Sequence, residues 1–284
     1  MTPRQQTARL TAQHELNHGV AGIFGKGARL HDLNVGEVST LLVPVLGKKF
    51  PTLTFRKRRD LTKREINQRL HAIDDHLGQE LYVKQAKIIP DGGIIEVKDD
   101  LGDWRVILVT EAKFQGKEAS NISAGVLVGT KKDQDIMAAG NAIERSHKNI
   151  REFANFMMGE SYFPYVLFLE GSNFLTENVT FTRPDGRPVT LVYDSSNLNR
   201  IDRLTAANYA MPINTNLCEN RTVTARGQAI MLQAASIYTQ GRASEWDGDE
   251  MLDVMYEIAT TSVKMLATDL FEQLTSETTS QEQS

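Results

Sequence analysis

The stretch from Pro90 to Lys113 constrains the fold more than any other part of this 284-residue chain. Two short runs rich in β-branched residues, Ile94–Val97 and Trp104–Val109, flank a charged segment of turn-forming residues. Such runs are typical of β-strands, and the short connection predicts that they pair antiparallel. The pairing brings Asp91, just before the first strand, close to Glu111, just after the second.

The charged residues at these strand ends predict a metal site. Two carboxylates at neighbouring strand positions repel each other unless a cation lies between them, and Mg²⁺ prefers oxygen ligands. Lys113 lies two residues after Glu111, and alternate side chains of a strand share a face, so its ammonium group projects toward the same ion. Such a site suits phosphodiester hydrolysis: the metal polarises the phosphoryl group, while the lysine orients water or offsets developing charge.

This short pattern has a second interpretation. Acidic and basic residues commonly alternate on exposed strands, so the same residues also fit an ordinary hairpin with solvated charges. Pro184-Asp185-Gly186 repeats the tripeptide that begins the pattern and is most simply explained as a turn.

Longer segments resemble the EcoRI-type family of type II restriction endonucleases, which are PD-(D/E)xK nucleases. The resemblance starts from the stretch Pro90–Lys113 and extends over nearly the whole chain. Further matching blocks are Asp133-Gln134-Asp135, Met137–Asn149, Pro164–Phe174 and Leu204–Tyr209.

The resemblance implies an α/β fold with a mixed five-stranded central sheet, flanking helices and extended arms that clasp DNA. We expect residues 1–274 to form a single nuclease domain, with arms near residues 114–130 and 176–193. Residues 275–284 consist of Ser, Thr, Gln and Glu, a composition that predicts a disordered tail.

The resemblance also implies Mg²⁺-dependent hydrolysis of double-stranded DNA at GAATTC. Cutting after G would leave 5′ overhangs with 5′-phosphates. Asp91, Glu111 and Lys113 would be catalytic, and the metal would be held by Asp91, Glu111 and the Ala112 carbonyl. A two-fold symmetric sequence requires a two-fold symmetric reader, hence a homodimer. A separate methyltransferase would protect host DNA.

The helix predicted after residue 135 has two different faces at about 100° per residue. The apolar face consists of Ile136, Ala139, Ile143, Ile150, Phe153, Ala154 and Met157. The opposite face carries Met137, Asn141, Glu144, Arg145 and Lys148. Asn and Arg can bond bidentately to adenine and guanine in the major groove, but spacing alone favours a solvated face with helical side-chain pairs. The resemblance assigns Met137, Asn141, Glu144 and Arg145 to DNA recognition, together with Arg200.

Other basic residues are candidates for contacts with the DNA backbone, because cations displace the counterions condensed on DNA. The segment from Lys48 to Arg69 is rich in Lys and Arg and is predicted to contain a helix that starts near Thr62. A solvated surface is the alternative. The candidates for backbone contact are Arg56, Arg58, Lys117, Lys148 and Arg203.

Two residues depart from the family pattern. Asn197 stands just before Arg200, where an apolar residue is expected, so a thymine-methyl contact is in doubt although an amide can reach a base edge. Phe114 directly follows Lys113, the lysine that the resemblance makes catalytic, at a position where a polar His would be expected in a relative. We infer no loss of catalysis from it.

A zinc protease is the competing enzyme class. The segment His14-Glu15-Leu16-Asn17-His18 has two histidines one helical turn apart with a glutamate between them, and His31 or Glu37 can supply a third ligand. The pattern fixes only three positions at the edge of the chain, where a catalytic helix would lack cover, so an exposed polar helix face is the preferred explanation. A non-catalytic DNA-binding regulator is the third class, against which the two acids and their lysine argue.

Several classes are excluded by the whole sequence. No apolar stretch is long enough to cross a bilayer and the N-terminus lacks a signal-peptide core, so we expect a cytoplasmic protein with no membrane partner. Cys218 is the only cysteine, which excludes an intrachain disulfide and predicts a buried, inert thiol. The net charge of −4 argues against a generally basic surface but not against local patches.

The remaining predictions concern single elements. They are a short helix Val35–Leu42 ended by Pro44, a strand Tyr165–Leu169 buried on both faces, a hairpin Thr176–Tyr193, a helix Leu198–Met211, a structural apolar run Ile230–Tyr238 and an amphipathic helix Met251–Leu274.

Overall fold

The computed structural model describes residues 34–79, 81–83, 85–126 and 139–270. The strands in chain order are β1 (Phe55–Arg58), β2 (Leu61–Thr62), β3 (Lys87–Ile88), β4 (Gly93–Lys98), β5 (Trp104–Phe114), β6 (Tyr165–Glu170), β7 (Val179–Thr182), β8 (Pro188–Leu191), β9 (Arg221–Ala225), β10 (Gln228–Leu232) and β11 (Ser236–Thr239). The helices are α1 (Val35–Lys49), α2 (Lys63–Ile73), α3 (Glu118–Ser123), α4 (Ala139–Phe156), α5 (Ser195–Ala207) and α6 (Gly248–Leu270).

A five-stranded sheet with the order β1-β4-β5-β6-β11 forms the centre of the fold. Strands β1, β4 and β5 pair antiparallel, whereas β6 is parallel to both β5 and β11. This confirms the predicted α/β class with a mixed central sheet. Among the described residues, no helix has the length and apolar character needed to span a bilayer.

Helices cover both faces of this sheet. On β1, Lys57 donates to the Gly36 carbonyl of α1, while the next residue, Arg58, donates to Glu65 of α2 at 2.6 Å. Consecutive strand residues point to opposite faces, so α1 and α2 lie on opposite sides. Helix α6 packs with α1, and α4 packs with α2. The central sheet therefore lies between two helical layers.

The pairing of β4 with β5 is the one predicted from the sequence. Gly93 pairs with Thr110 at one end and Lys98 with Trp104 at the other, with a bulge after Ile95. Because β4 begins opposite Thr110, the residues that precede β4 lie beside the end of β5. The paired strands thus bring the Asp91 region next to Glu111.

The predicted end of the first helix at Pro44 is wrong, because α1 continues through this residue to Lys49. Pro44 has no backbone N–H and so removes one helical hydrogen bond. Val45 and Leu46, which follow it, are buried in the main core. Burial of these two side chains outweighs the lost bond, since each fully buried aliphatic side chain contributes about 1.5–3 kcal/mol.

Other local predictions are confirmed. Helix α2 begins after Thr62, whose side chain caps it together with Glu65. Strand β6 is buried except at its last residue. Helix α6 buries Leu252, Met255 and further apolar residues at helical spacing, and its predicted last turn lies outside the described residues. The helix predicted from Leu198 begins earlier, at Ser195.

The predicted hairpin at 176–193 is present as β7 and β8, which pair antiparallel around the turn at Gly186. It packs against α3, a short helix that the sequence did not predict. A small apolar cluster outside the main core joins them, formed by Ala119, Leu175 and Ala243 with Val179, Phe181 and Leu191. The rest of the arm predicted near 114–130 lies outside the described residues beyond Val126.

The apolar run Ile230–Tyr238 does not form one structural unit. Its first part lies in β10, which among the described strands pairs with β9 alone, in a two-stranded ribbon, and there Ile230 is 43% exposed. Its second part is β11, a buried strand of the central sheet. The predictions for His14, His18 and His31, and for the tail at 275–284, lie outside the described residues.

Candidate active site

The structure brings together the three residues predicted to be catalytic. The Lys113 ammonium lies 3.0 Å from Asp91 Oδ2 and also forms an ion pair with Glu111 Oε1. Glu111 and Lys113 are alternate residues of β5, so both side chains project from the same face of the strand. Two carboxylates therefore converge on one cation at the end of the β4–β5 pair.

Gly92 allows this close approach. Its N–H donates to the Thr110 carbonyl at 2.8 Å, and Gly93 closes the turn through the Pro90 carbonyl. A Cβ atom at residue 92 would lie 2.6 Å from Thr110 Cβ, so any larger residue would push the turn away from β5. The two glycines thus hold Asp91 within reach of Lys113.

The two carboxylates have different surroundings. The Glu111 side chain is 1% exposed, whereas that of Asp91 is 49% exposed. Besides Lys113, the Glu111 carboxylate accepts hydrogen bonds from the Asn149 amide at 3.0 and 3.1 Å and from the Tyr165 hydroxyl. Glu111 is a fixed, desolvated group, and Asp91 faces the surface.

The charge state of Lys113 follows from these neighbours. Burial alone would lower its pKa, but attraction to Glu111 and then Asp91 outweighs burial and raises the pKa above its ordinary value. Lys113 is therefore protonated at neutral pH and acts as a cation and hydrogen-bond donor. Burial and the Glu111 charge raise the pKa of Tyr165, so its hydroxyl keeps its proton.

The donor set fits a hard divalent cation. Two carboxylates that already share one cation offer the oxygen ligands that Mg²⁺ prefers. Thr110 O points toward β4, where it accepts from Gly92, and carbonyls of alternate residues point to the same side of a strand. The Ala112 carbonyl therefore points to the side on which Asp91 lies.

A second acidic group has a different character. Asp74, Asp75 and His76 bring three potential ligand atoms together just after α2, and all three residues are exposed. Among the described residues this is the only such cluster of three. Exposed acidic side chains gather in this way on many protein surfaces, and these three residues are not among the groups that pair with Lys113.

Helix α4 lies beside the carboxylates and confirms the predicted separation of its faces. Ile143, Phe153 and Ala154 are buried, whereas Glu144, Arg145 and Lys148 are exposed. Glu144 and Arg145 are predicted recognition residues, Lys148 is a predicted backbone contact, and Asn141 lies in the first turn of the same helix. Met137 lies outside the described residues.

His147 on α4 is neutral near pH 7. Partial burial lowers its pKa, as does the positive charge of Arg203, while Glu144 opposes them. Its Nε2 atom is buried and has no hydrogen-bond partner among the described residues. A protonated imidazole is therefore disfavoured at this position.

Helix α5 places the remaining predicted recognition residues. Arg200 is partly buried and donates to the Asn173 carbonyl at 3.4 Å, and Arg203 is exposed. Asn197 is buried: its amide donates to Ser172 O at 2.9 Å, and its oxygen accepts from the Asp194 N–H that it caps. In this conformation Asn197 faces the protein, contrary to the expectation that it can reach a base edge.

Two of the arginines predicted to contact the DNA backbone form ion pairs within the protein, although the Arg56 side chain is 43% exposed. Arg56 Nε pairs with the buried Glu96 at 2.7 Å, and its guanidinium stacks 3.9 Å from the Trp104 ring. Arg58 pairs with Glu65 at 2.6 Å and with Glu96 at 3.5 Å. These pairs hold the β1 edge of the sheet to α2, which is a structural role. Lys117 and Lys148 are exposed.

Sequence analysis missed Asn149 and Tyr165 as members of the site. Tyr165 is the first residue of an apolar strand, and Asn149 is one polar residue among several on a helix. The neighbouring residues in the sequence do not indicate a contact with Glu111 at either position. Both contacts arise because α4 and β6, which are distant in sequence, pack against β5. Phe114, the other departure, is partly buried and pairs with Glu170 in β6.

The chain is similar in sequence to known type II restriction enzymes. A family model described as "Restriction endonuclease EcoRI" matches residues 17–273. The chain is 62% identical over 276 residues to the type II restriction enzyme EcoRI of Escherichia coli, which covers 97% of this chain and 100% of that protein. It is 51% identical over 265 residues to the type II restriction enzyme RsrI of Cereibacter sphaeroides, with 93% and 95% covered.

Proposed function

This chain belongs to the EcoRI family of type II restriction endonucleases, which cleave DNA at specific sites, and on that premise we propose that it uses Mg²⁺ to cut GAATTC after G. The identity of 62% over 97% of the chain supports a shared target with its relative. The intact pair of acids and their lysine support the metal. Family membership also argues against the two competing classes, a zinc protease and a non-catalytic DNA-binding regulator. Glu37, one of the two candidates for the third zinc ligand of the protease, caps α1 with Asn34 instead.

In the proposed mechanism Asp91, Glu111 and the Ala112 carbonyl would hold the ion. When bound, Mg²⁺ supplies polarisation of the phosphoryl group and a lowered pKa of water. Lys113, which is protonated, orients the attacking water and stabilises charge that develops on phosphoryl oxygens. Water oxygen forms a bond to phosphorus and the bond to the 3′ oxygen breaks, which leaves a 5′-phosphate and a 3′-hydroxyl.

The proposed DNA interface extends from this site along α4. Met137, Asn141, Glu144 and Arg145 would face base edges together with Arg200, because the family pattern puts recognition here and the described members of this α4 face are exposed. Lys117, Lys148 and Arg203 are exposed cations suited to phosphate contacts. Arg56 and Arg58 are omitted because their guanidinium groups pair with carboxylates. The α3 segment and the β7–β8 hairpin would form the arms of the single nuclease domain.

The proposed target sets the assembly and the biological partners. GAATTC is a palindrome, so a homodimer would read one half-site with each subunit. Staggered cuts after G on both strands would leave 5′ overhangs. A methyltransferase of the same specificity would protect host DNA, and both enzymes would act in the cytoplasm.

One observation carries this proposal: the Asp91 and Glu111 carboxylates converge on the Lys113 ammonium beside the exposed polar face of α4. The test is digestion of a plasmid of known sequence with Mg²⁺ or with EDTA, followed by mapping of both ends of each fragment. We expect cuts only at GAATTC and only with Mg²⁺. Cutting at another sequence would refute the target alone, whereas intact DNA would refute the whole proposal.

A further inference from the structure

The Glu111 carboxylate is held by donors from two different parts of the fold. Tyr165 lies in β6, which pairs directly with β5, and its ring stacks on Phe163 at 5.9 Å between centroids. Tyr165 is fully buried, so its hydroxyl is a donor fixed by the sheet. Asn149 donates instead from α4, the helix that carries the proposed recognition face.

The amide of Asn149 constrains the orientation of the carboxylate as a whole. Its nitrogen is almost equidistant from the two oxygens, at 3.0 and 3.1 Å. A shift or rotation of α4 would therefore change the hydrogen bond to both oxygens together. Tyr165 bonds only Oε2. Its backbone belongs to the sheet, and its ring contacts Phe153 of α4 at 5.7 Å between centroids, so α4 reaches Tyr165 through ring packing but donates to the carboxylate only through Asn149.

Asn149 also lies at the border between the two faces of α4. It is four residues after the exposed Arg145 and four before the buried Phe153, and residues four apart are neighbours on a helix. DNA held against the polar face would contact the helix one turn from this amide. The same helix therefore touches both the proposed DNA interface and a carboxylate of the site.

We propose that Asn149 and Tyr165 are positioning residues for the metal ligand Glu111, and that Asn149 transmits occupancy of the α4 face by specific DNA to this carboxylate. This inference rests on the proposed function. Partners that orient a metal ligand are typically worth about 10–100-fold in metal affinity. Removing either donor therefore weakens metal binding by that factor, but only Asn149 links metal affinity to the DNA sequence.

The test compares Asn149→Leu with Tyr165→Phe in full-length protein that also carries Lys113→Met, so that DNA stays intact. Asn155→Leu is the matched control, because Asn155 lies in the same helix and is not one of the donors to Glu111. Circular dichroism and thermal unfolding check the fold, and Asn149→Ala is the second variant at this position. Mn²⁺ affinity is measured from the electron paramagnetic resonance signal of free Mn²⁺, without DNA, with a GAATTC duplex and with an unrelated duplex.

We expect both donor variants to bind Mn²⁺ about 10–100-fold more weakly than the background protein, with Asn155→Leu unchanged. The preference for Mn²⁺ binding with the GAATTC duplex over the unrelated duplex should disappear in Asn149→Leu and persist in Tyr165→Phe. Unchanged Mn²⁺ affinity without DNA would overturn the positioning role. A preference retained in Asn149→Leu would overturn the link to DNA, and cleavage by the background protein would instead count against the proposed role of Lys113.

Discussion

Replacing Lys113 with Met should destabilise the metal-free protein as well as stop cleavage. Met is similar in length and uncharged, so it leaves Glu111 buried beside Asp91 with no cation between them. Removing one partner of a fully buried ion pair costs about 3–5 kcal/mol. Lys113 is 19% exposed and Glu111 keeps Asn149 and Tyr165 as donors. We therefore expect the free energy of unfolding to fall by about 2 kcal/mol, below the range for fully buried pairs.

The assay is thermal unfolding in EDTA at neutral pH. In a chain of this size 1 kcal/mol shifts Tm by about 2–4 °C, so Lys113→Met should lower Tm by about 4–8 °C. Lys87→Met is the matched control, because Lys87 also pairs with a carboxylate, that of Asp60 at 2.8 Å, but at the surface. An exposed pair contributes about 0.5 kcal/mol, which corresponds to about 1–2 °C.

Added Mg²⁺ separates the effect of charge from that of packing. In the unaltered protein the ion competes with the ammonium group for the two carboxylates, whereas in Lys113→Met they have no counterion. Mg²⁺ should therefore raise the Tm of Lys113→Met more than that of the unaltered protein. Equal melting of Lys113→Met and Lys87→Met in EDTA would refute the reasoning, since Lys113 would then not hold the two acids together. Cleavage at a normal rate would remove it from the mechanism.

Three further perturbations test other parts of the structure. Gly92→Ala puts a Cβ 2.6 Å from that of Thr110 and should displace Asp91. Because displacing a catalytic group by about 1 Å can lower the rate about 10²-fold, we expect at least roughly a tenfold lower cleavage rate in a single-turnover assay. Gly47→Ala is the control, since a Cβ there would meet nothing within 4 Å, and it should cleave normally. The pKa of His147 is lowered from 6.5 in the folded protein, so as pH falls below this value the unfolded chain takes up a proton before the folded chain does. The stability that the neutral imidazole contributes is therefore present above pH 6.5 and lost below it. Denaturant unfolding above and below this pH should show a smaller loss of stability in His147→Asn than in the unaltered protein. Arg145→Ala should cost about 1–3 kcal/mol of discrimination between GAATTC and single-base variants in a binding assay, and equal weakening on all duplexes would assign this residue to phosphate.

The parts of the fold that the sequence predicted well depend on local signals. The charged turn between two β-branched runs specifies the β4–β5 pairing, because neighbouring strands need only a short connection. Thr62 and Glu65 specify the start of α2 through a reciprocal cap. The periodicity of α4 separates its buried face from its exposed one. In each case the deciding interaction is close in sequence.

The wrong or missing predictions depend on contacts that are distant in sequence. Pro44 normally ends a helix, but the burial of Val45 and Leu46 against the core keeps α1 intact. Strand β11 has four residues and becomes recognisable only when it pairs with β6. The apolar residues of β10 have the same composition as a core strand, yet they lie in an exposed ribbon. Local composition cannot distinguish these outcomes, because tertiary packing decides them.

The same distinction explains which part of the site the sequence could show. Glu111 and Lys113 come from β5, and Asp91 comes from the turn that leads into the adjacent β4, so their spacing in the chain reflects their spacing in the fold. Asn149 and Tyr165 come from a helix and a strand that the chain reaches only later. Their positions follow from the packing of α4 and β6 on β5, and no short sequence pattern predicts this packing.

The unequal burial of the two acids follows from this construction and gives them different tasks. A carboxylate taken out of water is costly unless its oxygens are hydrogen-bonded, and Glu111 meets this condition through donors from three elements. Asp91 lies in a turn, half in solvent, and forms its ion pair with Lys113. Glu111 is therefore the fixed reference of the site, whereas Asp91 is free to adjust to an incoming phosphate and ion.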